Sequence, residues 1–176
     1  MSMNVMSAVA AETLRRFKVS RPRPECPAGA AEQELSHLVG FGPMTRVETT
    51  MGPVPAHVLR KGDRVRVKDG GFLVIRHVDR IVLDEDYLRY HPGALPVVIR
   101  AGALGHDLPK EDVMLAPFQK LDCDDRGFPK PVATPVDVLG TPFAYRRPEP
   151  MITYTTFHCG EPASVSAEGL WVHTAP

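Results

Sequence analysis

The sequence predicts an all-β domain made of short strands. From residue 40 onward, short runs rich in β-branched and aromatic residues alternate with segments rich in glycine and proline. Two of these runs, residues 63–68 and 72–78, flank Asp69-Gly70-Gly71, which supplies the positive φ angles of a tight hairpin turn. The chain has 18 prolines, which we expect mostly at strand ends and in loops. This pattern is typical of a sandwich or a partly closed barrel.

The remaining elements follow the same alternation along the chain. Residues 84–90 form the one plausible helix within the β-rich region, and its acidic first residues suit a solvated helix start. The other predicted strands cover residues 46–50, 96–100, 112–115, 151–157, 164–167 and 170–173.

The first 39 residues differ from the rest and are predicted to form an N-terminal arm, with a β-domain over residues 40–176. Apolar residues recur at three- and four-residue steps over residues 5–17, which predicts a short amphipathic helix. Three prolines in residues 20–27 end it and predict a linker. A helix this short is marginal in water, and the extended spacer favours docking on a protein partner. The predicted partner-binding stripe is Met6, Val9, Leu14 and Phe17.

Composition excludes several classes of function. The chain has 176 residues, of which 43% are hydrophobic, and a formal net charge of +0, so no overall field draws it to nucleic acid. No apolar run approaches the roughly 18 residues of a membrane span, and no secretory signal is recognised at the start. We therefore expect a cytoplasmic protein, with export by a route that needs no signal peptide left open; the oligomeric state is not indicated. Three cysteines at wide spacings, Cys26, Cys123 and Cys159, do not predict a disulfide framework.

Four segments in order carry a resemblance to a known family. Residues 40–47 are similar to an opening motif of Cys-Phe, two residues, then Gly-Thr and a strand, with Phe41 and Thr45 in register. Residues 52–65 resemble the next signature, in which Gly-Asp opens a strand. The most specific segment is Arg-Ala-Gly-Ala-Leu-Gly at residues 100–105, and residues 167–170 resemble a closing strand. These segments resemble the bacterial Hint (hedgehog/intein) domains, which implies a disc-like all-β fold with long curved strands and self-processing ancestry.

The resemblance also implies a site that has lost its chemistry. In the family, a cysteine at the first residue attacks the preceding carbonyl, but this chain has Gly40 there. The family's Ser/Thr-Pro-x-His strand corresponds to Ala116 and Gln119, and glutamine cannot act as a titrating acid or base. The vestigial site would therefore consist of Gly40, Phe41, Thr45, Ala116 and Gln119, with no catalytic residue, metal or cofactor predicted. The family's histidine-bearing strand near the C-terminus falls at about residues 158–161, where the match leaves the register open between residues 158 and 166.

Some single residues suggest a nucleophile or a metal site, but a structural role explains each of them better. Thr45 could be a hydroxyl nucleophile, but no base is adjacent, so a strand residue is favoured. A zinc site is disfavoured because the candidate ligands lack the usual paired spacings: Cys123, His158, Cys159 and His173. Consecutive carboxylates at residues 84–86 would point in different directions on a helix, which disfavours calcium.

The leading hypothesis is a catalytically inactive Hint-like domain that serves as a structural or protein-binding module, an accessory component of a larger bacterial complex. The alternative is an autoprocessing module that uses a non-standard nucleophile. Whether such a complex is phage-like, secreted or metabolic is not indicated by the sequence.

Overall fold

The computed structural model describes residues 35–123 and 132–176. The predicted helix at residues 5–17, its stripe of four apolar residues and the linker at 20–27 lie outside this part of the chain. So does Cys26.

The described residues form eleven short strands and one α-helix, whereas the sequence predicted eight strands and one helix in this region. The helix, α1, is Glu85–Tyr90, and Asp84 caps its start by accepting a hydrogen bond from the Tyr87 N–H at 2.9 Å. In chain order the strands are β1 (Arg46–Thr49), β2 (Gly52–Pro55), β3 (Arg64–Arg66), β4 (Phe72–Val74), β5 (His77–Leu83), β6 (Val97–Ile99), β7 (Val113–Leu115), β8 (Ala144–Arg146), β9 (Ile152–His158), β10 (Ala163–Ala167) and β11 (Leu170–Thr174). Short 3₁₀ turns occur at Ala56–Val58, Pro92–Ala94 and Pro135–Val138.

These strands form antiparallel sheets. One sheet has the order β11-β10-β1-β3-β4, with β2 paired to β1. The long strands β5 and β9 pair along their full length, and β6 lies between β7 and β8. Phe41 makes antiparallel bridges to Thr155 of β9 and to Leu115 of β7, so it joins these two groups of strands. The start of the predicted β-domain therefore lies in the middle of the fold.

The hairpin prediction is confirmed, and its second strand needs a correction. β3 and β4 are antiparallel partners, and Gly70 and Gly71 both have φ of +91° in the turn. The run at residues 72–78, predicted as one strand, divides into β4 and β5. Ile75 donates its N–H to the Asp63 carbonyl, whereas Arg76 donates to the carbonyl of His158 at the end of β9. The chain thus changes hydrogen-bonding partner between residues 75 and 76, and one apolar run supplies two sheets.

Strands β2 and β8 were not predicted. β2 contains Pro53 and Pro55, which read as turn residues. The Ala56 N–H donates to the Thr45 carbonyl at 2.8 Å. Because N–H groups alternate in direction along a strand, the even-numbered residues of β2 point theirs towards β1. Pro53 and Pro55 are odd-numbered, so their missing N–H groups remove no hydrogen bond between β2 and β1.

Two apolar clusters form the core of the described residues. The larger cluster contains side chains from all three groups of strands, including Val47 of β1, Val97 of β6 and Phe157 of β9. The smaller lies under α1 and includes Leu35, Leu38 and Leu88. Tyr154 is fully buried there, and its hydroxyl donates to the Ala94 carbonyl at 2.9 Å. Leu35 and Leu38 thus fasten the start of the described chain to this cluster.

No helix in the described part of the chain is long and apolar enough to cross a membrane.

Candidate functional site

The fold brings Gly40 and Gln119 into direct contact, although they lie 79 residues apart. The Gly40 N–H donates to Gln119 Oε1 at 2.8 Å, and this bond is buried. The nitrogen belongs to the Val39–Gly40 peptide, which is the bond that the resemblance places at the processing point. The resemblance implies that Gly40 and Gln119 belong to one site, and the structure places them in contact.

Both ends of the Gln119 amide are occupied by backbone groups. While Oε1 accepts from Gly40, Nε2 donates to the His173 carbonyl at 2.7 Å and to the Lys120 carbonyl at 3.3 Å. The side chain is 4% exposed. An amide has two N–H donors, and both are used here. Gln119 therefore links the segment that begins the domain to β11, which ends it.

The backbone of residues 40–42 is held on both sides. Gly40 accepts from the Ala116 N–H at 2.9 Å, and Gly42 donates to the Met114 carbonyl at 2.8 Å. Phe41 exchanges two hydrogen bonds with Thr155, at 2.8 and 2.9 Å. The ring of Phe41 stacks on Phe157 with a centroid distance of 5.2 Å. This segment is thus a fixed part of the sheet.

At Gly40 both the backbone conformation and the neighbouring strand disfavour a side chain. Its φ of +138° is a conformation that L residues rarely adopt. A Cβ there would lie 3.0 Å from Tyr154 Cβ and 3.2 Å from the Thr155 carbonyl oxygen. A cysteine at this position would therefore adopt a strained backbone conformation and press on β9, which would have to yield by a few tenths of an ångström.

Thr45 and Ala116 have structural roles. The Thr45 hydroxyl donates to the Met114 carbonyl at 2.6 Å and accepts from the Met114 N–H at 3.1 Å. The hydroxyl is occupied both as donor and as acceptor, and the side chain is 2% exposed, which favours a structural role over a nucleophile. The expected strand position is not observed, because Thr45 lies just before β1. Ala116 is fully buried and contributes only a methyl group where the family has a hydroxyl.

The other candidate nucleophiles and ligands are not assembled into a centre. Cys159 is 8% exposed, and burial raises the pKa of its thiol, which disfavours the thiolate. His158 accepts from the Gly160 N–H through Nδ1 and stacks on His77 at 5.6 Å. Within residues 35–123 and 132–176, no three His, Cys, Asp or Glu side chains are grouped to hold a metal ion.

A cavity of about 230 Å³ adjoins the Gly40–Gln119 contact. Its walls are the side chains around the two ends of the domain: Val39, Phe41, Gln119, Lys120, Thr156, Phe157, His173, Thr174 and Ala175. Of these, only Phe41 and Gln119 were selected from the sequence as vestigial-site residues. Lys120 and Phe157 carry no motif. The loop after β7 brings Lys120 to this cavity, and β9 brings Phe157.

The all-β fold, with the two ends of the domain meeting at one site, agrees with the sequence comparisons. A family model described as "Hint domain" matches residues 39–175, so the chain belongs to the Hint domain family. Among solved structures, the chain is similar to the gp41-1 intein, with 12% identity, coverage of 77% of this chain and 98% of that chain, and a TM-score of 0.47. It is also similar to the MchDnaB-1 intein, with 9% identity, 76% and 98% coverage, and a TM-score of 0.45. No curated protein matches the sequence.

Proposed function

We propose that this chain is a Hint domain that does not process itself and acts as a structural or protein-binding module. The observation that carries the proposal is the conformation at Gly40. Self-processing needs a nucleophile on the residue that follows the scissile carbonyl. Here that residue has no side chain, and its φ angle and neighbours oppose one.

Gln119 supports the same proposal from the other side of the peptide. Its carbonyl oxygen faces the amide N–H of Gly40, so it can hold that nitrogen but has no proton to give it at the same atom. Cleavage of an amide requires protonation of the leaving nitrogen, and general acid–base assistance is worth about 10² to 10⁴ in rate. The arrangement therefore favours holding the peptide over breaking it.

The rival function is self-cleavage by another nucleophile. Among the described residues, Thr45 is the family-motif hydroxyl, and both of its hydrogen-bonding roles are filled by Met114. The Cys159 thiol has its pKa raised by burial. Neither is prepared for attack, which favours the inactive reading.

The deciding experiment is an intact-mass measurement on the full chain. Incubated for a day with a thiol or with hydroxylamine at neutral pH, the protein should keep its full mass, because no thioester forms before Gly40. Thr45→Val and Cys159→Ala variants should behave identically. A fragment that begins at residue 40 or 41 and disappears in either variant would establish the rival function and identify its nucleophile.

The role in a larger complex extends this proposal. We infer that the arm at residues 1–39 engages the partner through Met6, Val9, Leu14 and Phe17, because the sequence places these residues on one stripe. Affinity capture with the full chain and with a Leu14→Asp, Phe17→Asp variant tests it. A bound protein should be lost in the double variant, and equal recovery with both would contradict the inference.

A further inference from the structure

The cavity beside Gly40 and Gln119 combines an apolar floor with a cationic rim. Phe41 and Phe157, stacked on each other, form part of the floor, and the methyl-bearing Thr156 and Ala175 extend it. Among the described residues, Lys120 and His173 are the ionisable side chains of the lining, and no carboxylate side chain is present there. Any side-chain charge in these described walls is therefore positive.

The Lys120 ammonium lacks a counter-ion in the described part of the chain. None of the ion pairs or side-chain hydrogen bonds among these residues involves its Nζ, and the side chain is exposed. By contrast, Lys68 is paired with Asp122 at 2.8 Å. A lone cation at the edge of an apolar recess is complementary to a ligand that carries one negative charge next to an apolar group.

Val39 adds unpaired backbone groups to the same walls. Its N–H and C=O make no hydrogen bond with any described residue, although Gly40 and Phe41 on its C-terminal side are fully paired. Backbone donors and acceptors at a recess require water or a ligand as partner. An extended peptide backbone offers such partners.

We propose that this cavity binds the carboxyl-terminal residue of a partner polypeptide. The apolar side chain lies against Phe41 and Phe157, and the carboxylate lies beside Lys120. Pockets for drug-sized molecules hold about 300 to 1,000 Å³, so a recess of about 230 Å³ suits a single side chain, with the preceding peptide backbone beside Val39. The assignment rests on the proposed function, since only an inactive site remains free to hold a chain end.

The test uses the full chain and a defined probe. The probe is a ten-residue Gly-Ser peptide ending in leucine with a free carboxylate, and the comparison is the same peptide as its carboxamide. Amide shifts in NMR spectra should report a Kd of about 1 mM or tighter for the acid. The carboxamide should bind at least about tenfold more weakly, because a charge-assisted contact is lost.

Two lysine variants make the test specific. Lys120→Met keeps the apolar stem and should weaken binding of the acid about tenfold while leaving binding of the carboxamide unchanged. Lys61→Met is the matched control, because Lys61 is also exposed but does not line the cavity, and it should bind like the native chain.

Several results would overturn the assignment. The first two are equal affinity for the acid and the carboxamide, and an equal loss of affinity in the Lys120→Met and Lys61→Met variants. The third is the absence of binding at 5 mM of the acid probe, a concentration about fivefold above the expected Kd. The fourth is N-acetyl-leucine that binds as tightly as the peptide. Intact mass of the same samples separates this failure from that of the proposed function. An intact chain that does not bind the peptide refutes the cavity assignment alone, and a cleaved chain refutes the inactive reading.

Discussion

At residue 40 the backbone conformation and the space around it act together, and a pair of variants separates them. Gly40 and Gly71 both have positive φ, but a Cβ at Gly71 meets nothing within 4 Å. Gly71→Ala should therefore cost about 1 to 2 kcal/mol from the backbone alone. Gly40→Ala should cost about 1 to 3 kcal/mol more, because Tyr154 and Thr155 must shift.

Urea unfolding of the two variants measures these losses of stability. Equal losses would show that Tyr154 and Thr155 move aside at no cost, which would remove the steric part of the argument against a cysteine at residue 40. Gly40→Cys combined with Gln119→His, the simplest reversal of both losses, would in that case be worth examining for cleavage.

Thr155 is the residue at which hydrogen bonding is incomplete. Its side chain is fully buried, and its hydroxyl has no partner within the described residues. Burying an unpaired hydroxyl costs about 1 to 3 kcal/mol, so Thr155→Val, which keeps the shape, should raise the free energy of unfolding by about 1 kcal/mol. Thr45→Val is the control with the opposite sign, because that hydroxyl makes two hydrogen bonds to Met114 and its loss should destabilise. The midpoint of urea unfolding at constant slope measures both, and a destabilised Thr155→Val variant would show that the hydroxyl has a partner.

Among the elements, Gln119 links the segment at residues 40–42 to β11. Gln119→Ala removes the bonds to Gly40 and His173 and leaves buried groups unpaired, which should cost about 2 to 4 kcal/mol. In Gln119→Glu, a protonated carboxyl can still accept from Gly40 and donate to His173, but the ionised form lacks the donor. Burial among carbonyl groups should raise the pKa of this carboxyl above its usual value near 4.3.

The sign of the resulting pH dependence follows from that shift. A raised pKa means that the folded state holds the proton more tightly, so its contribution to stability is complete below the unfolded pKa and is lost as the pH rises through the folded one. Gln119→Glu should therefore lie closest to the native stability at acidic pH and fall behind it towards neutrality. Thermal unfolding of both chains at pH 5 and pH 8 measures the difference in stability. A difference that does not change with pH would contradict the arrangement in which residue 119 bonds to both Gly40 and His173.

For the whole molecule, the question is whether the arm contributes to the fold. A chain that starts at Ala28 keeps Leu35 and Leu38, which pack under α1. We expect its melting temperature to stay within a few degrees of that of the full chain, and its protein partner or oligomeric state to be lost. Calorimetry and light scattering on the two chains measure both. Unfolding without any change in association would place the arm in the core and exclude the docking role.

Some elements of the fold could be predicted from the sequence and others could not. Period-two alternation and glycine turns are local properties, and they predicted the hairpin of β3 and β4 and the strands β10 and β11. The helix α1 was also predicted from the local sequence. The division of residues 72–78 between two sheets was not predictable in this way, because the apolar pattern continues through Ile75 while its partner changes. β2 was missed because its prolines suggest a turn unless the strand on each side is known.

The sequence by itself determined that this is a Hint-like all-β domain with glycine at position 40 and glutamine at position 119. The resemblance predicts that these residues replace the family's nucleophile and histidine. Only the tertiary structure decided what those residues do instead. The φ of Gly40, the saturation of the Gln119 amide and the meeting of Val39, Lys120 and Phe157 at one cavity all arise from contacts between segments far apart in the chain. A local pattern carries no information about such contacts, since they depend on which strands pair and in which register.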